Sequence, residues 1–127
     1  MIPITFERVV ELVNSVRPLS EPPRAGCVEG AIGNAVQAAV YYGENDEPNP
    51  LHIASYLLRS LARDHCFIDG NKRVAWLGCL DVLARLGGVT VDTDEVEAAT
   101  FVECVAEGKI DVPAVAEWLA GRLVALS

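Results

Sequence analysis

Apolar residues recur at every third or fourth position along most of this chain, which is the spacing of one helix face. The pattern predicts six helices, over about residues 5–16, 27–42, 50–63, 70–87, 94–106 and 111–123. The run "VTVD" at 89–92 is at most a short extended link. The prediction is therefore an all-α fold: a compact bundle of about six helices, with residues 1–127 forming a single domain.

Residues that begin or end helices support these boundaries. Thr5, Asn49 and Asp111 stand where a side-chain oxygen can cap the first backbone N–H groups of a helix. Gly43 is predicted to end the second helix, and the run "ENDEPNP" to form the loop that follows. Three prolines come after the first helix, so "RPLSEPPRAG" at 17–26 is predicted to be an irregular arm. We expect a plain connector there, with a substrate-facing flap as the alternative.

The fourth predicted helix differs from the others because it is apolar nearly all round. It begins near Gly70 and stops at the pair Gly87-Gly88. A helix without a polar face has to be covered by its neighbours, so we expect it to be the central and most buried one.

The composition is that of an ordinary globular protein, with 51% hydrophobic and 22% charged residues in a chain of 127. No apolar stretch approaches the roughly 20 residues that cross a bilayer. The start "MIPITFERVV" places an acid and a base where a signal peptide is apolar. We therefore expect a cytoplasmic protein without membrane contact. The net charge of −8 argues against direct nucleic-acid binding, because neutralising phosphates needs a basic face.

Four cysteines, at positions 27, 66, 79 and 104, stand far apart and form no C-x-x-C pair. This spacing is a poor match to a zinc site. We expect reduced, mostly buried thiols.

Chemically active residue types are concentrated in "RDHCFIDGNKRVAW", residues 63–76. With a helix beginning near Gly70, the backbone N–H groups of 70–72 have no partner within the helix and lie at its positive end, where they attract anions. Glycine lets a phosphate approach the backbone closely. Lys72 adds a compact positive charge, and Arg73 adds a guanidinium that can donate two parallel hydrogen bonds to a phosphate. The junction therefore predicts a site for a small anionic ligand.

Two further residues of this stretch suit a reaction on a phosphate. Asp69 offers a hard oxygen ligand for Mg²⁺, and His65 can accept a proton from an attacking hydroxyl. Phe67 is best interpreted as an apolar anchor that holds the loop to the core. Each residue alone has an ordinary structural interpretation, such as a turn or a surface charge; the ordered run is what predicts chemistry.

In order, "HCFIDGNKR" resembles the H-x-F-x-[DE]-x-N-x-R core motif of the Fic/Doc family, specifically its Doc-type (death-on-curing) toxin branch. The helix order and the tail "EGKIDVPAVAEWLAGRL" extend the resemblance over most of the chain. It implies the toxin of a toxin–antitoxin pair, a kinase-like transferase that moves the terminal phosphate of ATP to a protein hydroxyl. The expected target is translation elongation factor Tu, whose modification arrests translation.

The resemblance also assigns roles. It implies His65 as the base on the target hydroxyl, acting with Lys72 and Arg73 as catalytic residues, and Asp69 as the Mg²⁺ ligand. The expected nucleotide-binding residues, with Arg63 as a supporting or phosphate-facing member, are Arg63, Gly70, Asn71, Lys72 and Arg73.

Departures from the family pattern leave the reaction open. Nucleotidylating Fic members have proline after the histidine and a second glycine before the arginine, where this chain has Cys66 and Lys72. A lysine there favours binding with the terminal phosphate toward His65, which implies kinase activity. Gly70 matches the nucleotidylating branch, so AMP transfer is the alternative, and a catalytically silent nucleotide- or partner-binding module is a second one.

Many family members carry their own inhibitory helix, with the pattern [ST]-x-x-x-E-[GN]. Thr93 is followed four residues later by Glu97, but the next residue is Ala98. We therefore expect restraint by a cognate antitoxin, whose helical segment would lie in a groove near the active site.

Overall fold

The computed structural model describes residues 3–19, 21–42 and 49–126. Its helices are α1 (Phe6–Val16), α2 (Cys27–Tyr42), α3 (Pro50–Arg63), α4 (Asn71–Gly87), α5 (Glu95–Ala106) and α6 (Val112–Ala120). The predicted bundle of six helices is therefore confirmed. The predicted end of the second helix at Gly43, and most of the loop after it, lie outside the described residues. None of the helices in the described ranges is both long and apolar enough to span a lipid bilayer.

A small sheet is the feature that the helical pattern did not predict. β1 (Val89–Val91) pairs antiparallel with β2 (Leu123–Ala125), and Val91 lies opposite Leu123. The prediction that the sixth helix includes Leu123 was wrong, because Gly121 ends that helix and donates its N–H to the carbonyl of Glu117. Strands of three residues are too short to leave a periodic signal in the sequence.

Helix starts follow the predicted caps. The side chains of Thr5, Asn49 and Asp111 each accept a hydrogen bond from a backbone N–H of the first turn, at 3.1, 2.8 and 3.0 Å. Asp94 caps α5 in the same way at 2.7 Å. Each cap satisfies a donor that the helix itself cannot pair.

α4 packs against α1, α3 and α5, but the prediction that it is the most buried helix was wrong, because α3 contacts α2, α4, α5 and α6 and buries a larger share of its residues. One face of α4 is buried against α3, and Gly78 allows their close approach, since a Cβ there would lie 3.3 Å from Leu61 Cδ1. Asp81 is the charged residue on the buried face of α4. This buried carboxylate accepts hydrogen bonds from Arg8 Nη2 at 2.9 Å and Arg85 Nε at 2.7 Å. The pairing satisfies the buried charge and ties α1 to α4.

Candidate active site

The loop between α3 and α4 is held by its own side chains. Phe67 is buried, at 5% exposure, which confirms its predicted role as an anchor. The Asn71 amide closes a ring with the backbone of Phe67: it accepts from the N–H at 2.9 Å and donates to the carbonyl at 2.8 Å. The side-chain amide of Asn71 therefore holds the loop in place. The backbone N–H of Asn71 is the group that remains for a phosphate.

The N-terminus of α4 lacks a side-chain cap. Gly70 occupies the N-cap position in the left-handed conformation, with φ at 80°. A Cβ on Gly70 would lie only 3.2 Å from Nη1 of Arg73. The first N–H groups of α4 thus have no oxygen from a capping side chain, and the absent side chain leaves room beside the Arg73 guanidinium. This is the arrangement that accommodates a phosphate group.

A cavity of about 860 Å³ opens in front of this N-terminus. Six residues that were predicted to bind a ligand or to take part in a reaction line the cavity from the loop and from α4: His65, Asp69, Gly70, Asn71, Lys72 and Arg73. His65 and Asp69 are both exposed, so their side chains are accessible to a ligand. The structure therefore brings together at one cavity every predicted site residue except Arg63.

Arg63 lies outside the cavity, at the C-terminal end of α3. Its guanidinium instead packs over the turn after α5, where a Cβ on Gly108 would be 3.5 Å from Arg63 Cζ. This position gives no support to the expected phosphate-facing role, and it fits a residue that braces α5 against α3.

The opposite wall of the cavity was missed by the sequence analysis. It is formed by one face of α5, with Glu95, Ala98, Ala99, Val102, Glu103, Ala106 and Glu107. These positions recur at helical spacing and form a stripe of small and acidic residues along α5. That spacing is the feature of the sequence from which this face could have been identified. Trp76 also lines the cavity and meets Phe101 and Trp118 edge-on.

Lys72 extends across the cavity toward this acidic wall. Its Nζ lies 3.9 Å from Glu103 Oε1, with both side chains 58% exposed. The pKa of Glu107 is held below its usual value, chiefly by the hydrogen bond from Lys109, with a smaller contribution from the charge of Lys72. An ion pair this exposed is weak, so a phosphate group can compete for the ammonium.

The start of α2 is covalently joined to the loop. Cys27 and Cys66 are joined by a disulfide, so the prediction that all four cysteines are reduced thiols was wrong. The two residues are 39 positions apart, and only the fold brings them together. Cys66 therefore has no free thiol.

Cys79 is buried as predicted, and burial raises the pKa of its thiol to about 12.

The donors at the cavity fit a metal that arrives with its substrate. Among the described residues there is no group of three or more histidine, cysteine, aspartate or glutamate side chains that could hold a metal ion. Mg²⁺ is commonly bound by one or two carboxylates together with substrate phosphates and water. Asp69, beside the uncapped start of α4, meets that description.

Comparison with known proteins agrees with this arrangement. Residues 13–83 match the Fic/DOC family. The chain is also 36% identical over 98 residues to a protein named Toxin Doc from Mycolicibacterium smegmatis (strain ATCC 700084 / mc(2)155), an alignment that covers 76% of this chain and 73% of that protein. The family match begins within α1 and ends within α4, so it contains the whole loop and the start of α4. The chain therefore belongs to the Fic/DOC family.

Proposed function

We propose that this protein is the toxin of a toxin–antitoxin pair and transfers the terminal phosphate of ATP to a hydroxyl group of a protein, translation elongation factor Tu being the expected target. The observation that carries the proposal is the gathering of a histidine, an aspartate and an uncapped helix start around one open cavity. The name of the related Toxin Doc supports the toxin assignment.

Each group has a role in the proposed transfer. His65 takes the proton from the attacking hydroxyl, whose oxygen forms a bond to the terminal phosphorus. The bond from that phosphorus to the bridging oxygen breaks, and ADP leaves. The N–H groups at the start of α4 and the Arg73 guanidinium hold the phosphates and stabilise their charge in the transition state. Asp69 would hold Mg²⁺, which when bound neutralises phosphate charge.

AMP transfer is the second candidate, and two observations bear on the choice. Lys72 brings a cation to the cavity, which suits the most highly charged end of ATP and favours phosphate transfer. However, its side chain leans toward Glu103, and Gly70 keeps the backbone accessible. These features are compatible with the glycine-rich geometry of the nucleotidylating branch.

Labelled ATP distinguishes the candidates. A bacterial lysate is incubated with the protein, Mg²⁺ and ATP labelled on either the terminal or the first phosphate. Phosphate transfer by this protein adds only the terminal label to its target, and the matched variant His65→Asn should add it at least about a hundredfold more slowly. Label from the first phosphate on protein would establish AMP transfer, and ATP binding without any labelled protein would favour the silent binding module. Lys72→Gly is expected to lose terminal-phosphate transfer.

We further propose that a cognate antitoxin restrains the protein by placing a helical segment in the cavity. The support is the stripe of small residues on α5, which would let a helix approach closely. Expression of the wild type should arrest growth, and His65→Asn should not. Normal growth with a catalytically intact wild type would contradict the toxin assignment.

A further inference from the structure

Arg24 donates hydrogen bonds to the backbone of the loop, just before the predicted anion site in the sequence. Its Nη2 donates to the carbonyl of Asp64 at 2.6 Å, and its Nε donates to the carbonyl of His65 at 3.2 Å. Its backbone N–H donates to the carbonyl of Cys66 at 2.8 Å. One residue of the arm therefore donates hydrogen bonds to three consecutive carbonyls of the loop, although Arg24 does not line the cavity.

These hydrogen bonds lie where the loop backbone adopts an infrequent conformation. His65 has a φ of 50°, in the left-handed region that residues with side chains adopt infrequently. Such a conformation persists when its surroundings determine it. The Cys27–Cys66 disulfide is a second attachment of the loop, which it joins to the first residue of α2 on the C-terminal side of His65. The backbone that sets the direction of the imidazole is thus held on both sides.

We propose that Arg24 is a positioning residue for His65: it sets the backbone conformation that directs the imidazole into the cavity. The catalytic consequence rests on the proposed function, whereas the structural consequence does not. Without the guanidinium, the carbonyls of Asp64 and His65 lose their charge-assisted partners and the imidazole samples other directions. A misplaced base slows the transfer step and leaves the nucleotide site intact.

The test is nuclear magnetic resonance of the histidine rings in full-length protein. The chain has two histidines, and His52 on α3 is the internal control. The variants are Arg24→Ala, Arg24→Lys and, as a matched control, Arg59→Ala, which removes an exposed arginine from α3. Spectra are recorded with the disulfide intact and after reduction, because the disulfide partly substitutes for Arg24.

In Arg24→Ala the His65 ring signals should shift or broaden, more strongly after reduction, while those of His52 remain as in the wild type. Arg24→Lys should restore part of the wild-type spectrum, since an ammonium can still reach one carbonyl. In the transfer assay, kcat should fall about tenfold to a hundredfold in Arg24→Ala, with KM for ATP changed less than about twofold. Arg59→Ala should match the wild type in both measurements.

His65 signals in Arg24→Ala that match the wild type in both redox states would overturn the proposal. A KM effect without a kcat effect would overturn it as well, because it would place Arg24 in nucleotide binding. If the wild type transfers no label, the proposed function fails, and the ring spectra still decide whether Arg24 positions His65.

Discussion

Gly70→Ala tests the proposal that the phosphates of ATP bind at the start of α4. The substitution has two separable effects, because Gly70 has a positive φ and also faces Arg73. Placing alanine in the left-handed conformation costs about 1–2 kcal/mol, which lowers the melting temperature by roughly 3–6 °C per kcal/mol in a domain of this size. The added Cβ would lie 3.2 Å from Arg73 Nη1 and occupies the approach to the first N–H groups of α4. Losing one charge-assisted hydrogen bond to a phosphate costs about 1.5–3 kcal/mol, or about tenfold to a hundredfold in affinity.

Gly88→Ala is the matched control at the other end of α4. Gly88 has a φ of 64°, and a Cβ there meets nothing within 4 Å, so the same backbone penalty applies without a change at the cavity. Thermal unfolding and titration calorimetry with Mg²⁺ and a non-hydrolysable ATP analogue are measured for both variants. Both should lose similar stability, and only Gly70→Ala should lose affinity. Equal affinity in the two variants would refute the assignment of the phosphates to the start of α4.

Further predictions address the other groups. His65→Asn, which suits the positive φ, should keep the wild-type melting temperature and lower the transfer rate by about 10²–10⁴. Asp69→Asn should weaken the Mg²⁺ dependence of ATP binding in calorimetry, because a neutral amide is a poorer ligand for a hard dication. Hydrogen bonds from Arg122 and Thr93 hold the pKa of Glu97 below its usual 4.5, so its stabilising contribution is present above that pH and is lost as the pH falls through the lowered pKa. Glu97→Gln should therefore flatten the fall in melting temperature as the pH drops below 4.5. Unfolded, unreduced protein should take up two alkyl groups by mass, and four after reduction.

The sequence was sufficient for features built from neighbouring residues. The helices follow from apolar spacing, and caps such as Thr5 and Asp111 act within a single turn. His65, Asp69 and residues 70–73 could be assigned to one site because they lie within nine consecutive positions and line the same cavity. Local spacing determines these arrangements, so they could be predicted before the fold was known.

The features that could not be predicted depend on contacts between distant residues. Arg24 meets the loop carbonyls 40 and 41 positions later, and Arg8 meets Asp81 across 73 positions. Such pairs leave no periodic pattern in a single sequence. The acidic and small residues of α5 have helical spacing, but only the fold shows that this face lies opposite the start of α4.

The measurement that tests the account most directly is the intact mass of purified elongation factor Tu after incubation with this protein, ATP and Mg²⁺. We predict a mass increase equal to one phosphate, which is absent when His65→Asn replaces the wild type. An increase equal to AMP, or an unmodified factor in the presence of a folded protein that binds ATP, would contradict the proposed reaction on this target.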